Sequence, residues 1–368
     1  MKVESIRIEN FKLFDHLEVS FKNKTLNEVS NRFLVLGDNG AGKTTLLQSI
    51  ALMLGLATRQ VRTVSEFDWI GFVPGRYSRW GTPNIKMLVT FTQEELDATH
   101  WITEKWYESR SAEFRQTHPF EPSGNSAKVE LTLKGERYDA GSRAEMIQFQ
   151  GRQKVFDLLQ TDSSFRPWFA KIPSLFWFDQ FRNLGSNPDI REANGESTSE
   201  NSGRVSFDFG TARLRRYLNG WKLGQSSRDQ PYRVDYLMNL ENLYKKVFPG
   251  RSFAGNEPMP GIDSPTPDDY YFLLNDGNHT YDLVEMSAGE QSVFPILYQF
   301  VRLQIAHSIV LIDEIDLNLH PPAAQTLVSQ LPKIGPTCQF IITTHSEAVN
   351  GMIGDDETFR LPGGKLCL

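Results

Sequence analysis

Residues 37–45 read GDNGAGKTT and fit the pattern GxxxxGK followed by Ser or Thr, with its fixed positions at Gly37, Gly42, Lys43 and Thr44. An apolar run precedes this stretch and an apolar series with helical spacing follows it, which predicts a strand, a loop and a helix in that order. Glycines let the loop backbone curl so that successive N–H groups face one anion, and the N-terminus of the helix adds its dipole. The stretch therefore predicts a binding site for the phosphates of a nucleotide.

Individual roles in this loop follow from the chemistry of a nucleotide that is bound together with Mg²⁺. Lys43 is assigned to the β- and γ-phosphates, and Thr44 is assigned to Mg²⁺. The predicted nucleotide-contacting positions of the loop are Gly37, Asn39, Gly40, Gly42, Lys43, Thr44 and Thr45.

The composition is that of a chain with a substantial core and no global positive field. Of 368 residues 39% are hydrophobic, and 39 Lys and Arg oppose 45 Asp and Glu to give a net charge of −6. Such a chain can contact nucleic acid only through a local basic patch. Cys338 and Cys367 are too few for a zinc site or a disulfide framework. The N-terminal residues lack a signal-peptide core and no apolar run approaches membrane-spanning length, so we expect a soluble, cytoplasmic protein without membrane contact.

The order of strand, helix and linker patterns predicts three parts. Residues 1–66 hold the phosphate loop, residues 67–248 form an inserted lobe of helices and strands, and residues 249–368 carry the remaining motifs. Within the lobe, residues 191–204 contain almost nothing apolar and cannot offset their ordering entropy by burial, so we expect a mobile loop there.

Hydrophobic periodicity predicts the secondary structure in more detail. Strands are expected at 3–8, 17–21, 33–36, 85–91, 128–134 (an edge strand), 175–178, 270–274, 279–283, 308–312 and 339–344. Helices are expected at 44–56, 94–115, 143–159, 211–223, 232–248, 288–306 and 322–331, and residues 249–267 are expected to be a connection.

Two acids follow an apolar strand pattern at 308–314, which reads SIVLIDE. A buried parallel strand explains the apolar run but gives no structural reason for Asp313 and Glu314 at its end. At the C-terminal edge of the strand, Asp313 can hold Mg²⁺ opposite Thr44, and Glu314 can polarise the water that attacks the γ-phosphate. The alternative is two solvated loop acids, which the phosphate loop elsewhere in the chain disfavours.

His345 ends a second strand pattern of the same kind, since residues 339–345 read QFIITTH. One strand-and-helix unit separates it from Asp313, which predicts that it lies at the same sheet edge, where an imidazole can donate to the γ-phosphate. A lone histidine after a strand is otherwise more often structural than catalytic. The position of His345 favours the functional interpretation.

Residues 287–291 read SAGEQ, and Ser287 with Glu290 three residues later forms a capping box before an apolar helix. Capping does not exclude function, because a helix N-terminus with Gly289 near its start is another anion site. One chain cannot readily fold both helix ends around the same phosphates. The motif therefore has no role at the phosphate loop of its own chain.

In this order, GDNGAGKTT, MSAGEQ, IVLIDEID and IITTH resemble the motifs of the ABC-type ATPases, and within them the branch of SMC, RecF and OLD (overcoming-lysogenisation-defect) proteins. Asn39, the Ala-Gly-Glu form of the signature and the Leu-His-Pro at 319–321 look like that branch rather than a transporter subunit. The motifs cover residues 1–50 and about 270–346, and the middle of the chain matches loosely. The resemblance implies an α/β P-loop NTPase of the ABC-ATPase head type, with a mixed central sheet flanked by helices, N-terminal antiparallel strands and a large mixed insertion.

The resemblance also implies a head-to-tail homodimer with ATP and Mg²⁺ as cofactors. ATP on the loop of one protomer would be closed over by Ser287, Gly289 and Gln291 of the other. Asp316 would belong to the loop that crosses between the two sites.

Gln180, after the strand at 175–178, is the candidate for the family's Mg²⁺- and water-sensing glutamine, with a plain strand-end amide as an equal alternative. The chain departs from the family in two ways. The long coiled-coil arms are absent from the sequence, and we expect no nuclease domain like that of OLD proteins, because the sequence stops soon after His345.

The leading function is an ATP-gated dimerisation switch in DNA repair or anti-phage defence, which controls a separate effector such as a nuclease. The lobe at 67–248 would read the partner or DNA. Arg213, Arg215 and Arg216 could contact DNA phosphates, although three arginines on a helix are more often a solvated face. The alternatives are the ATPase subunit of a membrane transporter, disfavoured by the insertion and the signature, and a self-sufficient nuclease, for which the sequence offers no separate cluster of metal ligands.

Overall fold

The computed structural model describes residues 1–180, 207–224 and 235–362. The loop predicted at 191–204 and Cys367 lie outside the described residues, and so does the side chain of Arg213. The chain divides into two compact units. The first comprises Met1–Gln180, Gln304–Ile315 and Leu331–Leu368, and the second comprises Phe181–Leu303 and Asp316–Gln330.

Strands and helices are mixed along the described chain. In chain order the strands are β1 (Lys2–Phe11), β2 (Phe14–Ser20), β3 (Arg32–Leu36), β4 (Asn84–Thr90), β5 (Lys128–Lys134), β6 (Arg137–Asp139), β7 (Leu175–Phe178), β8 (Ser252–Pro258), β9 (Tyr270–Asn275), β10 (Thr280–Asp282), β11 (Ile309–Ile312), β12 (Gln339–Thr344) and β13 (Thr358–Arg360). The α-helices are α1 (Lys43–Ala57), α2 (Gln93–Glu108), α3 (Ala112–Thr117), α4 (Arg143–Gln148), α5 (Gly151–Leu159), α6 (Phe207–Gly224), α7 (Tyr236–Val247), α8 (Ala288–Arg302), α9 (Pro321–Ile334) and α10 (Glu347–Asn350).

A five-stranded parallel sheet in the order β13-β3-β12-β11-β7 lies in the first unit. Its strands β3, β11 and β12 are buried along almost their whole length, as continuous apolar runs in parallel strands usually are. The register pairs Leu36 with Thr344 and Ile312 with Ile342. The segments that follow β3, β11 and β12 therefore leave the sheet at one edge, side by side.

A second sheet of the first unit is antiparallel, in the order β2-β1-β4-β5-β6. The predicted pairing of the N-terminal strands is present, with Ile6 opposite Val19. The sheet then continues through β4 and β5, although the sequence prediction assigns both to the lobe that begins at residue 67. The predicted edge strand β5 is covered by β6. Alternation reveals the buried face of a strand but does not identify its neighbour, so these pairings were not predictable from the pattern.

Two predicted helices are interrupted. The helix predicted at 94–115 is divided, because α2 ends at Glu108 and α3 begins after Ser111, whose side chain accepts a hydrogen bond from Phe114 N. The helix predicted at 143–159 is likewise divided into α4 and α5. The segment predicted as a connection contains β8, whose glycine and proline weaken the strand pattern.

The second unit contains a three-stranded antiparallel sheet in the order β10-β9-β8, together with α6, α7 and α8. The predicted hairpin joins β9 to β10, and Gly277 in its turn has a φ of 98°. α7 packs against α8, where the rings of Tyr244 and Phe294 meet edge to face at a centroid distance of 5.5 Å. The predicted α/β class, with flanking helices and N-terminal antiparallel strands, is confirmed. The central sheet was predicted to be mixed, but all of its described strands are parallel, because the antiparallel strands pair in separate sheets.

Candidate active site

The phosphate loop connects β3 to α1 and requires glycine at two positions. Gly42 has a φ of 102°, and a Cβ added to it would lie 2.7 Å from Cζ of Phe14. Gly40 also has a positive φ, of 81°. Glycine adopts positive φ at little cost, whereas other residues are strained there. The two glycines therefore allow the backbone to turn tightly before α1 begins.

The N-terminus of α1 is suited to an anion. Its N-cap residue, Gly42, has no side chain to cap the first turn, and that turn contains no acid. Lys43 is buried, and its Nζ donates to the carbonyl oxygens of Gly37 at 2.8 Å and Asp38 at 3.1 Å. The two hydrogen bonds hold the Lys43 ammonium across the loop. Together with the positive end of the helix dipole, this ammonium forms a site that fits the phosphates of a nucleotide.

Thr44 and Asp313 come together from distant parts of the sequence. Thr44 Oγ1 donates to Asp313 Oδ2 at 2.7 Å, and Asp313 is fully buried where β11 ends. A hydroxyl oxygen and a carboxylate oxygen are hard ligands of the kind that Mg²⁺ prefers. The donor set therefore fits the predicted metal, which Thr44 and Asp313 would hold.

Thr343, for which the sequence alone indicated no role, contacts both acids. Its Oγ1 donates to Asp313 Oδ1 at 2.6 Å and accepts from Glu314 N at 2.8 Å. Its carbonyl oxygen accepts from Ile315 N at 3.0 Å. The signal in the sequence was a threonine within the buried strand β12, where an apolar residue would otherwise be expected. Thr343 thus fixes the turn that follows β11.

Glu314 and His345 follow neighbouring strands at the same sheet edge. Glu314 is half-buried and has a φ of 46°, an uncommon conformation for a residue other than glycine. His345 is exposed and comes directly after Thr344, which pairs with Leu36 in the register. The strand order therefore brings both residues to the edge that carries the phosphate loop, and their catalytic roles stay predictions.

Gln180 reaches the same edge through β7. The register pairs Phe178 with Ile312, and Asp313 N donates to Phe178 O at 2.9 Å, so the ends of β7 and β11 lie side by side. Gln180 is half-buried. Its role as a metal-sensing glutamine stays a prediction.

The signature motif caps a helix of the second unit. Ser287 and Glu290 form the predicted capping box before α8, with Ser287 N donating to Glu290 Oε2 at 3.0 Å. Gln291 Nε2 donates to Met286 O at 2.8 Å. A Cβ added to Gly289 would lie 3.3 Å from Asn318 O, so the backbone here leaves little room for a side chain.

A cluster of polar side chains contacts the second carboxylate oxygen of Glu290, the glutamate of the signature motif. Glu290 is 1% exposed, and its Oε1 accepts from Tyr244, from Tyr281 at 2.6 Å and from Arg251 at 2.7 Å. Burial opposes the charged carboxylate, but hydrogen bonds from Ser287, Tyr244 and Tyr281 outweigh it and lower the pKa of Glu290 below its ordinary value. The sequence showed only the capping half of this arrangement, because the other three partners are 9 to 46 positions away.

Two of the arginines considered for DNA are engaged with acids of the second unit. Arg215 forms an ion pair with Asp282, and Arg216 donates to both carboxylate oxygens of Asp268 at 2.6 and 2.7 Å. Arg216 and Asp268 are both exposed, as on a solvated face, whereas Arg215 and Asp282 are largely buried. These contacts tie α6 to the segments on either side of β9.

Two family models match the chain. One, described as "AAA domain, putative AbiEii toxin, Type IV TA system", matches residues 113–349, and one described as "AAA ATPase domain" matches residues 1–135. The chain belongs to the AAA ATPase family. This AAA ATPase hydrolyses ATP, as the resemblance to ATPases implied.

This AAA ATPase is similar to several known proteins, and the fraction of each protein's length that it covers differs. "Retron Vc95 probable ATPase" from Vibrio cholerae serotype O1 biovar El Tor is 21% identical over 94% of this chain and 71% of its own length. Septu protein PtuA from Bacillus mycoides (strain KBAB4) is 24% identical over 95% of this chain and 39% of its own length. Among solved structures, the SMC head domain from Thermotoga maritima matches with 13% identity and a TM-score of 0.43, over 96% of this chain and 92% of that one.

Two features are absent from the part of the AAA ATPase that the structure describes. Within residues 1–180, 207–224 and 235–362, no helix has the length and apolar character needed to cross a membrane. The same residues contain no group of three or more His, Cys, Asp and Glu side chains that could hold a metal ion.

Proposed function

We propose that this ATPase is a nucleotide-gated dimerisation switch in anti-phage defence, and that it controls a separate effector such as a nuclease. The switch acts in the cytoplasm, where ATP is available. Its closed state is a homodimer with ATP between the protomers, and hydrolysis opens it. The names of the retron and Septu relatives support the defence role over a transporter subunit.

The observation that carries the proposal is the 2.7 Å hydrogen bond between Thr44 and Asp313. This bond joins the first turn of α1, directly after the phosphate loop, to the acid that follows β11. In the proposed site Lys43 contacts the β- and γ-phosphates, while Thr44 and Asp313 hold Mg²⁺. When bound, Mg²⁺ would neutralise part of the negative charge of the phosphates.

Three further residues act on the water and the γ-phosphate in this proposal. Glu314 polarises the attacking water, His345 donates to the γ-phosphate, and Gln180 responds to the metal and the water. Their common position at the carboxyl edge of the parallel sheet supports these roles, since ligands of α/β sheets bind at that edge.

The signature motif supports the dimer. Ser287, Gly289 and Gln291 belong to the second compact unit, whereas the phosphate loop and its acids belong to the first. We assign the signature to the nucleotide of a second protomer, with Asp316 in the loop that crosses between the sites. Nucleotide that binds the closed dimer more tightly than the separate protomers stabilises the dimer by mass action, and hydrolysis removes that stabilisation.

The substitution Glu314→Gln tests the switch directly. It removes the carboxylate proposed to act on water but leaves the loop and Asp313 in place, so ATP should bind without being turned over. The variant should then accumulate as an ATP-dependent dimer in size-exclusion chromatography with light scattering. Lys43→Ala should show neither nucleotide binding nor dimer, and Glu94→Gln, which changes an exposed acid on α2, should behave as wild type.

A Glu314→Gln variant that binds ATP and stays monomeric would overturn the dimer model while leaving the ATP site intact. A variant that hydrolyses ATP at the wild-type rate would instead remove Glu314 from its proposed role. The effector can then be sought by recovering the proteins that copurify with the ATP-locked variant from the native host.

A further inference from the structure

A cavity of about 290 Å³ lies in the first unit among α2, α3, α4 and α5, and none of its lining residues belongs to the proposed nucleotide site. Aromatic side chains form much of its wall, namely Trp106, Tyr107, Phe114 and Phe120. Its size is at the lower end of the range of small-molecule sites, which are also mostly apolar with a few polar groups. The cavity therefore has the dimensions and the lining of a site for a small organic molecule.

Lys154 on α5 places a buried cation in this wall. Its side chain is 8% exposed, and its Nζ has no hydrogen-bond acceptor among the described residues. The Trp106 ring lies beside it, with its centroid 5.9 Å from Nζ. A buried ammonium without an acceptor is unfavourable, because it has lost hydration without gaining a partner.

The acids of the cavity do not supply that partner. Asp157 accepts from Trp106 Nε1 at 2.7 Å and from Arg110 at 3.1 Å, and Glu121 pairs with Arg143 at 2.6 Å. Both carboxylates are thus engaged with other donors. The three cations of the lining, Arg59, Arg143 and Lys154, outnumber its two acids.

We propose that this cavity binds a small aromatic anion of the size of a nucleoside monophosphate or less. Its phosphate or carboxylate accepts a hydrogen bond from Lys154 Nζ, and its ring packs against the aromatic wall formed by Trp106 and its neighbours. An anionic group satisfies the ammonium, and the aromatic faces favour a planar body. The inference does not depend on the proposed switch, since the cavity shares no residue with the nucleotide site.

The protonation of Lys154 agrees with this geometry. Burial first and Arg59 second lower the pKa of Lys154, Asp157 opposes them, and the resulting pKa is about 8. A bound anion would favour the charged form. Affinity for an anion should accordingly be highest below pH 8 and fall as the pH rises and the ammonium loses its proton.

Binding of AMP and of benzoate, measured by calorimetry at pH 7, tests the site. The protein carries Lys43→Ala, so that the phosphate loop does not contribute. We expect saturable binding of at least one probe, and Lys154→Met should weaken it at least about tenfold, the effect of losing a hydrogen bond to a charged group. The matched control is Lys171→Met, because Lys171 lies 4.9 Å from the ring of Trp168, is exposed and is not part of the cavity wall.

Benzoate also provides a pH test, because its charge is constant between pH 7 and 9.5. Its affinity should fall by roughly tenfold or more over this range, and Lys154→Met should remove the dependence. The other titratable or charged groups around the cavity are Arg59, Tyr107, Arg110, His118, Glu121, Arg143 and Asp157.

Thermal unfolding without ligand separates a binding role from a structural one. Met replaces an unpaired buried charge with an apolar side chain, so Lys154→Met should raise the Tm by about 2 °C or more. The proposal is overturned if neither probe binds saturably, if Lys154→Met binds as tightly as its parent, or if that variant has a lower Tm. None of these results would change the Glu314→Gln test, which uses the nucleotide site.

Discussion

Thr343 Oγ1 donates a hydrogen bond to Asp313 Oδ1 at 2.6 Å, and both side chains are fully buried. The other carboxylate oxygen, Oδ2, accepts from Thr44 at 2.7 Å. Asp313 is therefore held by two hydroxyls, one from β12 and one from α1. Because Thr343 also accepts from Glu314 N, a single threonine orients both acids of the proposed hydrolytic site.

Thr343→Val should impair hydrolysis more than nucleotide binding. Valine has the same shape but leaves the Asp313 oxygen and the Glu314 N–H without their partner, which should cost about 1–3 kcal/mol of stability. Loss of alignment should lower kcat for ATP about 10- to 100-fold, while KM should change little, since the loop contacts remain. Steady-state ATPase assays and urea unfolding measure both effects. Thr343→Ser retains the hydroxyl and should restore most of kcat; equal defects in the two variants would contradict a positioning role.

Ser287→Arg should block ATP-dependent dimerisation and spare nucleotide binding to the isolated protomer. The large cation would occupy the position proposed to face the partner's nucleotide, and the lost N-cap should cost about 1 kcal/mol. The matched control is Ser142→Arg, because Ser142 caps α4 in the same way, accepting from Glu145 N at 3.2 Å and donating to Glu145 Oε2 at 2.9 Å. Both variants are made in the Glu314→Gln background. Light scattering then measures dimer formation, and titration with a fluorescent nucleotide measures nucleotide affinity. A loss of nucleotide affinity in Ser287→Arg as large as that in Lys43→Ala would count against this division of roles.

Glu290→Gln should destabilise the protein at pH 7 and much less at pH 3. The pKa of Glu290 is lower in the folded protein than in the unfolded chain, where it is near 4.5. The charged carboxylate therefore stabilises the fold at pH values above 4.5, and this stabilisation is lost as the pH falls through the folded-state pKa. An amide cannot accept from Ser287, Tyr244, Tyr281 and Arg251 as the carboxylate does, which should cost about 1–3 kcal/mol at neutral pH. Urea unfolding at the two pH values checks the prediction. Glu257→Gln, an exposed acid on β8, should show no such difference.

The motifs by themselves predicted which residues form the proposed site. The spacing within residues 37–45 predicted the tight loop, because only a Gly-rich turn before a helix presents several N–H groups to one phosphate. The run of apolar residues before Asp313 predicted a buried parallel strand, and the structure has one there, as it has the capping box at Ser287. These features are local, so a pattern of neighbouring residues is enough to reveal them.

Tertiary structure decided every relation that crosses the sequence. Strand order brought Asp313 to Thr44, made Thr343 the link between two acids, and joined β4 and β5 to the N-terminal sheet. It also gave Glu290 its tyrosine and arginine partners. Periodicity specifies which face of an element is buried, but strand pairing and side-chain contacts are set by packing among distant segments, which no local pattern encodes.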